Sequence, residues 1–380
     1  MREEPVTAVV TANDAFAADL YGVLTGDTRQ TVFSPVSVAA ALRMALCGAR
    51  GQTAAELGGA LHESPDAAAD GLRATSAAVH DVAADGSVTF RAPSIVWVQS
   101  GLALRPEFTS QLGDAAAAAI ARVGFAEAPE AARAEINRVI AEQTAGKITG
   151  LLPAAAISDL TQLVLTSAIY LKAAWAERFA EAATRDAPFY PDGPDRPSLT
   201  VPMMHSTAAR AFRHGDRYQA VLLPYQGGQL AMAVVLPDGP LTTLRPAIAA
   251  DGLRGLLAGT SRYQVTLSLP RFRVEAAFDL IPVLRRLGVR EAFTREADFS
   301  GITEAERLLI NAVAHKAYVD VDEQGTEAAA ATAISFRPTA AFRAPPAVTM
   351  TVDRPFLFVI FHTPTGTPLF VGQVSQPGVR

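Results

Sequence analysis

Cysteine is almost absent from this sequence. Cys47 is the only cysteine in 380 residues, which excludes an internal disulfide framework. Its apolar neighbours Met44, Ala45 and Leu46 favour a buried structural thiol over a nucleophile. A chain of this length can bury a large core without disulfides or bound metal ions.

Long apolar runs and basic clusters are also lacking. No stretch reaches the roughly 18 apolar residues that would indicate a membrane span. The net charge is -5 and no basic run with interleaved aromatic residues occurs, so we expect no nucleic acid as partner, and we expect no membrane either. The start of the chain has the acidic residues Glu3 and Glu4 and no basic region before an apolar run, so no signal peptide is predicted.

Residues that would indicate an enzyme are missing too. No phosphate-binding glycine loop, metal-ligand cluster or paired-acid motif is found, and we predict neither an enzyme nor a cofactor. The histidines stand in no recognisable catalytic context; they are His62, His80, His205, His214, His315 and His362.

The pattern of residues predicts a single α+β domain over residues 1–380. Helical signals dominate the first half, including the N-cap and proline pair Ser34-Pro35 and a capping box at Thr53 to Glu56. Residues 88–98 form one predicted strand, and the apolar run QLVLTSAIYL predicts a strand buried on both faces. Further strands follow up to the C-terminus, and no linker separates the two halves.

One segment combines helix-forming residues with a strand-like alternation. Residues 322–344 read DEQGTEAAAATAISFRPTAAFRA, and Gly325 provides backbone freedom at the start. From residue 326 to residue 337, alternate positions form two sets. The even-numbered set has no charged residue and comprises Thr326, Ala328, Ala330, Thr332, Ile334 and Phe336. The odd-numbered set contains both charged residues and comprises Glu327, Ala329, Ala331, Ala333, Ser335 and Arg337. This period of two predicts a strand with one buried face. An ordinary exposed alanine-rich helix or a disordered linker is the alternative.

Several motifs resemble those of the serpins. They occur in order along almost the whole chain: VFSPVSVAAAL (32–42), TAGKITGLLP (144–153), LKAAWAERF (171–179), VPMM (201–204), ADFSGIT (297–303), HKAYVDVDEQGTEAA (315–329), DRPFLFVIF (353–361) and PLFVGQVSQP (368–377). The resemblance is to inhibitory serpins. It implies three β-sheets, about nine helices and an exposed reactive-centre loop at about 323–350, whose hinge comprises Glu323, Gly325, Thr326, Glu327, Ala328, Ala329, Ala330, Ala331 and Thr332.

The family's activity implies a suicide-substrate inhibitor of serine proteases. The cleaved loop would insert into the main sheet and trap the covalent acyl-enzyme, a switching mode known for serpins as a class. In serpins the attacked bond usually follows the seventeenth residue counted from the hinge glutamate. Counted from Glu323, the resemblance implies the bond Thr339-Ala340. A small β-branched residue at Thr339 suits an elastase-like or subtilisin-like protease. The long segment after Thr339 leaves Phe342, for a chymotrypsin-like enzyme, and Arg343 or Arg337, for a trypsin-like one, as alternatives.

The resemblance also implies the residues that control insertion. Ser34, Ser37 and His315 would form the shutter beneath the opening of the sheet, with Ser167 where serpins usually have asparagine. Because serine is shorter than asparagine, the sequence leaves open whether the shutter hydrogen bond forms. Trp175 would lie at the breach, where the hinge enters. We expect a monomer without a heparin-like cofactor, extracellular by family analogy.

The alternative function is a non-inhibitory serpin that acts as a binding or chaperone-like protein. Such relatives tend to carry bulky or charged residues where this chain has Thr326, Ala328 and Ala330. Each such residue would have to be buried on insertion, at a cost of a few kcal/mol. The small residues of this hinge therefore favour the inhibitor.

Thr326→Arg should convert the inhibitor into a substrate. An arginine at this position would have to enter the buried face of the inserted strand, which blocks the hinge. Denaturing gels after incubation with protease should show cleaved protein in place of the covalent complex. An unchanged yield of complex would contradict the insertion scheme.

Overall fold

The computed structural model describes residues 3–26, 30–83, 86–114, 118–327 and 346–378. Within these ranges the fold is α+β, as predicted. No helix there is long and apolar enough to cross a membrane. Eight α-helices are described: α1 (Glu3–Leu24), α2 (Pro35–Gly48), α3 (Gly51–Ala60), α4 (Ala68–Ala83), α5 (Pro106–Asp114), α6 (Pro129–Gln143), α7 (Arg245–Gly255) and α8 (Ile281–Arg286).

Sixteen strands accompany these helices in the described ranges. They are β1 (Thr31–Phe33), β2 (Val88–Arg91), β3 (Ser94–Gln99), β4 (Ala118–Val123), β5 (Leu163–Ala174), β6 (Arg185–Phe189), β7 (Leu199–Gly215), β8 (Tyr218–Pro224), β9 (Leu230–Pro237), β10 (Ser261–Pro270), β11 (Phe272–Asp279), β12 (Ile310–Val321), β13 (Gly325–Thr326), β14 (Ala347–Thr351), β15 (Phe356–His362) and β16 (Thr367–Val374).

Hydrogen bonds join these strands into two sheets. The seven-stranded sheet has the order β11-β12-β13-β5-β3-β4, with β2 also paired to β5. The nine-stranded sheet has the order β1-β16-β15-β9-β8-β7-β10-β14, with β6 also paired to β7. Two networks appear where three sheets were expected, because the 17-residue β7 pairs with β10 and β6 in one part and with β8 in another.

The two faces of the seven-stranded sheet are covered differently. On one face, Ile136 and Ile140 of α6 pack with Val164 of β5. On the other face, Ile169 of β5 and Val319 of β12 pack against the nine-stranded sheet. Strand β5 is almost entirely buried for this reason, which confirms the prediction from its continuous apolar run.

Two local predictions were wrong. Helix α3 begins at Gly51, so Thr53 lies inside it and is not the N-cap. The Thr53 hydroxyl donates to Glu291 Oε1 at 2.8 Å instead of capping the helix. The single strand predicted for residues 88–98 is two strands, β2 and β3. Pro93, which has no amide hydrogen to donate to a ladder, lies in the break between them.

A buried arginine ties the helical layer together. Arg43 of α2 is fully buried and donates to both carboxylate oxygens of Glu63, with Arg43 Nη2 2.9 Å from Glu63 Oε2. Its guanidinium also donates to Thr75 Oγ1 of α4 at 3.0 Å and to Asn13 Oδ1 of α1 at 2.9 Å. Glu63, Thr75 and Asn13 all accept hydrogen bonds from this one guanidinium. Loss of the guanidinium would leave the Glu63 carboxylate, whose side chain is 6% exposed, without a counter-ion.

Arg43→Ala should lower the free energy of unfolding by about 3–5 kcal/mol, because it removes one partner of a buried ion pair. The matched control is Arg73→Ala on α4, whose exposed pair with Asp70 should contribute less than about 0.5 kcal/mol. Urea unfolding of both variants measures the difference. Equal effects for the two variants would contradict the role of Arg43.

Candidate functional site

The candidate site is the seam between β5 and β12. These strands run parallel and pair directly from Ile310 with Leu163 to Tyr318 with Tyr170. Above that last pair, the short β13 lies between them and pairs antiparallel with both, Thr326 with Val321 on one side and with Ala173 on the other. The seam is therefore closed along most of its length and already occupied at its top.

Gly325 allows the hinge to approach β5 closely. Its φ of 152° favours glycine, and it pairs with Ala174 of β5. A Cβ atom at this position would overlap the carbonyl oxygen of Ala173, which belongs to the backbone and cannot rotate away. The glycine is thus required by space as well as by conformation.

Aromatic side chains line the point where the hinge enters. Trp175 follows β5 directly and stacks on Tyr225 with ring centroids 4.5 Å apart. Its indole nitrogen donates to the carbonyl of Asp322 at 2.9 Å. The Tyr225 hydroxyl is 2.6 Å from Thr326 Oγ1, and Thr326 is fully buried. The predicted breach residue therefore contacts the hinge, and Tyr225 holds the hinge's first inserted side chain.

Glu323 anchors the hinge on the other side. Its Oε1 accepts hydrogen bonds from Arg271 Nε at 2.8 Å and from the Thr184 hydroxyl, and only 3% of the side chain is exposed. Burial alone would raise the pKa of this carboxyl, but the hydrogen bonds from Arg271 and Thr184 outweigh it and lower the pKa. Glu323 is therefore held as a carboxylate.

The predicted shutter residues meet across the seam. The Ser34 amide donates to His315 Nε2 at 2.9 Å, so this nitrogen carries no proton. The proton therefore sits on Nδ1, which donates to Ser167 Oγ at 2.8 Å. Serine is long enough for this bond, because His315 and Ser167 are direct register partners on adjacent strands.

The start of α2 fixes the serines of the shutter. Ser34 is the N-cap of α2, and its hydroxyl accepts from the Ser37 amide at 3.2 Å. The Ser37 hydroxyl donates to the carbonyl of Ala168 on β5 at 3.2 Å, and Ser94 Oγ of β3 donates to the carbonyl of Ser37 at 3.1 Å. This helix terminus is thereby bonded to β3, β5 and β12 together.

His315 is neutral in this setting. Complete burial lowers its pKa to about 3, although its interaction with Ser167 acts in the opposite direction. Phe278 of β11 stacks against the ring at 6.3 Å. A charged imidazolium here would have to give up the hydrogen bond from Ser34, because Nε2 could no longer accept it.

Geometry dictates what this arrangement can do. Neighbouring strands lie about 4.8 Å apart, so a strand placed between β5 and β12 would separate them by about twice that distance. The bond between His315 and Ser167 cannot survive this separation. The bond between His315 and Ser167 and an inserted strand at that position therefore exclude each other. At the breach, by contrast, Trp175 and Tyr225 make their contacts with the hinge already in place.

The remaining predicted site residues lie outside the described ranges. They are Ala328, Ala329, Ala330, Ala331 and Thr332 of the hinge, the reactive-bond residues Thr339 and Ala340, and the alternatives Phe342, Arg343 and Arg337. Within the described ranges no cluster of three or more histidine, cysteine, aspartate or glutamate residues could hold a metal ion.

Four contributors to the site were missed by the sequence predictions: Tyr225, Arg271, Thr184 and Ser94. Each bonds a site residue at least 52 positions away in the chain. Nothing in the local sequence indicates these long-range contacts.

Comparison with known proteins identifies the family to which this fold belongs. A family model described as "Serpin (serine protease inhibitor)" matches residues 11–377. The chain therefore belongs to the serpin family, which confirms the resemblance seen in the sequence. It also confirms the prediction that the protein belongs to a family of protease inhibitors and not of enzymes.

Individual relatives agree with this assignment. An uncharacterized serpin-like protein of Thermococcus kodakarensis is 37% identical over 99% of this chain and 88% of its own length. The leukocyte elastase inhibitor of Bos taurus is 36% identical over 96% of this chain and 98% of its own. The structure of human thyroxine-binding globulin complexed with thyroxine has a TM-score of 0.85 at 27% identity, covering 98% of this chain and 99% of that one.

The buried shutter histidine predicts acid sensitivity. The unfolded chain takes up a proton near pH 6.5, whereas native His315 does so only near pH 3, so acid favours unfolding within this window. This group alone should remove up to about 1.4 kcal/mol of stability per pH unit below 6.5.

His315→Gln tests this expectation, because the variant has no group to titrate at this position. It should be less stable than the wild type at pH 7, and urea unfolding should show that difference shrinking as the pH falls toward 4. A difference that stays constant over this range would contradict a neutral buried His315.

Proposed function

We propose that this protein is a suicide-substrate inhibitor of serine proteases, which traps the acyl-enzyme by inserting its cleaved loop between β5 and β12. The observation that carries the proposal is β13. Thr326 already pairs antiparallel with both strands and Gly325 with Ala174 of β5, in the direction that an inserting chain would follow. The hinge is thus the first rung of the proposed inserted strand.

The alternation along the loop fits this direction. Thr326 is fully buried beside Tyr225, on the face that packs against the nine-stranded sheet. Continuing the strand would place the other uncharged residues of the same parity on that face, down to Phe336. The charged residues Glu327 and Arg337 would lie on the opposite face, which is the side of α6.

Insertion would exchange one ladder for two. The direct parallel pairing of β5 with β12 would be replaced by an antiparallel ladder on each side of the new strand, and antiparallel pairing is slightly more stable per residue. Losing the side-chain bond between His315 and Ser167 would cost about 1 kcal/mol. The shutter would therefore oppose insertion only weakly.

The proposed chemistry is acyl transfer to the protease. The serine hydroxyl of the protease attacks the carbonyl carbon of Thr339, the bond to Ala340 breaks, and the new amino terminus takes a proton and leaves. An ester then links Thr339 to the protease. A strand of about 12 residues spans roughly 40 Å, so insertion would carry the protease far along the sheet before water hydrolyses the ester.

The proposed partner is an elastase-like, subtilisin-like or chymotrypsin-like serine protease. The leukocyte elastase inhibitors among the relatives support the elastase-like choice. Arg343 and Arg337 keep a trypsin-like enzyme as an alternative. A monomer without a heparin-like cofactor and an extracellular location stay predictions.

Incubation with elastase, chymotrypsin, subtilisin and trypsin tests the proposal. We expect a complex that resists denaturing gels, and mass measurement should find a released C-terminal peptide that begins at Ala340. Cleaved protein should also unfold at a higher temperature than the intact form, because of the added strand.

The two parts of the proposal can fail separately. Cleavage without a complex and without a rise in unfolding temperature would contradict inhibition and favour a non-inhibitory binding or chaperone-like protein. A stable complex with a peptide starting elsewhere would contradict only the choice of Thr339 as the reactive residue.

A further inference from the structure

Glu327 has a backbone conformation that interrupts the inserting strand. Its φ is 48°, in the left-handed region that residues with a Cβ rarely adopt, and β13 ends one residue earlier at Thr326. An antiparallel strand needs a φ near -140°. The strand cannot extend past Thr326 until Glu327 changes its conformation.

The amide of Glu327 is already in place for the strand. It donates to the carbonyl of Asp320 on β12 at 2.9 Å, which continues the pairing of Thr326 with Val321. The interruption therefore begins at the Glu327 φ torsion itself. This single residue lies at the fork between the part of the seam that the hinge occupies and the part that is closed.

The side chain of Glu327 points to the α6 side of the sheet at this fork. Its carboxylate forms an ion pair with Lys147. The Glu327 side chain is 17% exposed and the Lys147 side chain is 42% exposed. Below it lie Tyr170 and Tyr318, the last directly paired residues of the closed seam. Burial, and then the nearby Glu327 charge, raise the pKa of Tyr170 to about 12.

The chain around Lys147 is firmly held. Gly146, with a φ of 74°, ends the turn that follows α6. The next residue, Ile148, is fully buried in the core between α6 and the sheet, and its amide donates to Thr144 Oγ1 at 3.3 Å. Lys147 is therefore presented to the fork by a segment anchored on both sides.

We propose that Glu327 and Lys147 form a stop that slows extension of the inserting strand past Thr326. They are positioning residues: the ion pair stabilises the left-handed conformation of Glu327, and its release lets the strand extend. This inference rests on the proposed function, since it concerns the rate of the same insertion.

Lys147→Met and Glu327→Gln each test the stop by removing one charge. Either variant should speed insertion after cleavage by about threefold, which is the scale of a partly exposed ion pair. The double variant should be no faster than either single variant, because both remove the same interaction. Lys147→Arg should restore the wild-type rate, and Arg138→Met on α6, whose partners are Glu135 and Glu142, is the matched control.

Stopped-flow mixing with excess elastase measures these rates. Tryptophan fluorescence reports insertion, because Trp175 stacks on Tyr225 beside the hinge, and acid-quenched gels report loop cleavage. The stop predicts faster insertion with an unchanged cleavage rate. A general loss of structure would instead alter both rates and would equally affect the Arg138→Met control.

The outcomes separate this inference from the proposed function. If the wild type is cleaved without an insertion phase or a gain in unfolding temperature, the proposed function fails. If the wild type inserts and the Lys147→Met variant inserts at the same rate, or if the two single effects add up in the double variant, the stop is overturned and the proposed function stands.

Discussion

The direct parallel pairing of β5 with β12 is the constraint on which the rest of this structure depends. Parallel ladders are slightly less stable per residue than antiparallel ones, and both strands can pair antiparallel with a chain running down between them. Thr326 already does so, and Gly325 pairs with β5. Insertion as proposed would give the same sequence a more fully paired sheet, and the connection of the intact loop and the contacts that close the seam would oppose it.

Besides the backbone pairing of β5 with β12, side-chain hydrogen bonds act at this seam. His315 and Ser167, both buried, bridge it, while Arg271 and Thr184 hold Glu323 at its top. Hydrogen bonds suit this purpose because each depends on direction and distance, so a displacement of one strand width removes the bond completely. Apolar contacts would weaken more gradually. Each of these hydrogen bonds contributes about 1 kcal/mol, so in the proposed mechanism they would slow insertion without preventing it.

The sequence predicted those parts of the site that local patterns specify. The continuous apolar run predicted the buried strand β5, the Ser34-Pro35 pair predicted the start of α2, and alternation predicted that Thr326 faces the core. Contacts between segments far apart in the chain could not be predicted from the sequence. The hydroxyl of Tyr225, for example, meets Thr326 across 101 positions. The capping box at Thr53 failed for the same reason, since a distant acceptor competes for its hydroxyl.

A crystal structure of the protein after cleavage of its loop would show directly whether the loop inserts. We expect residues from Thr326 to about Arg337 to form a strand between β5 and β12, these two strands to lie about 10 Å apart, and the bond between His315 and Ser167 to be broken. A cleaved protein in which β5 and β12 still pair directly below Tyr170 and Tyr318 would contradict the proposed insertion.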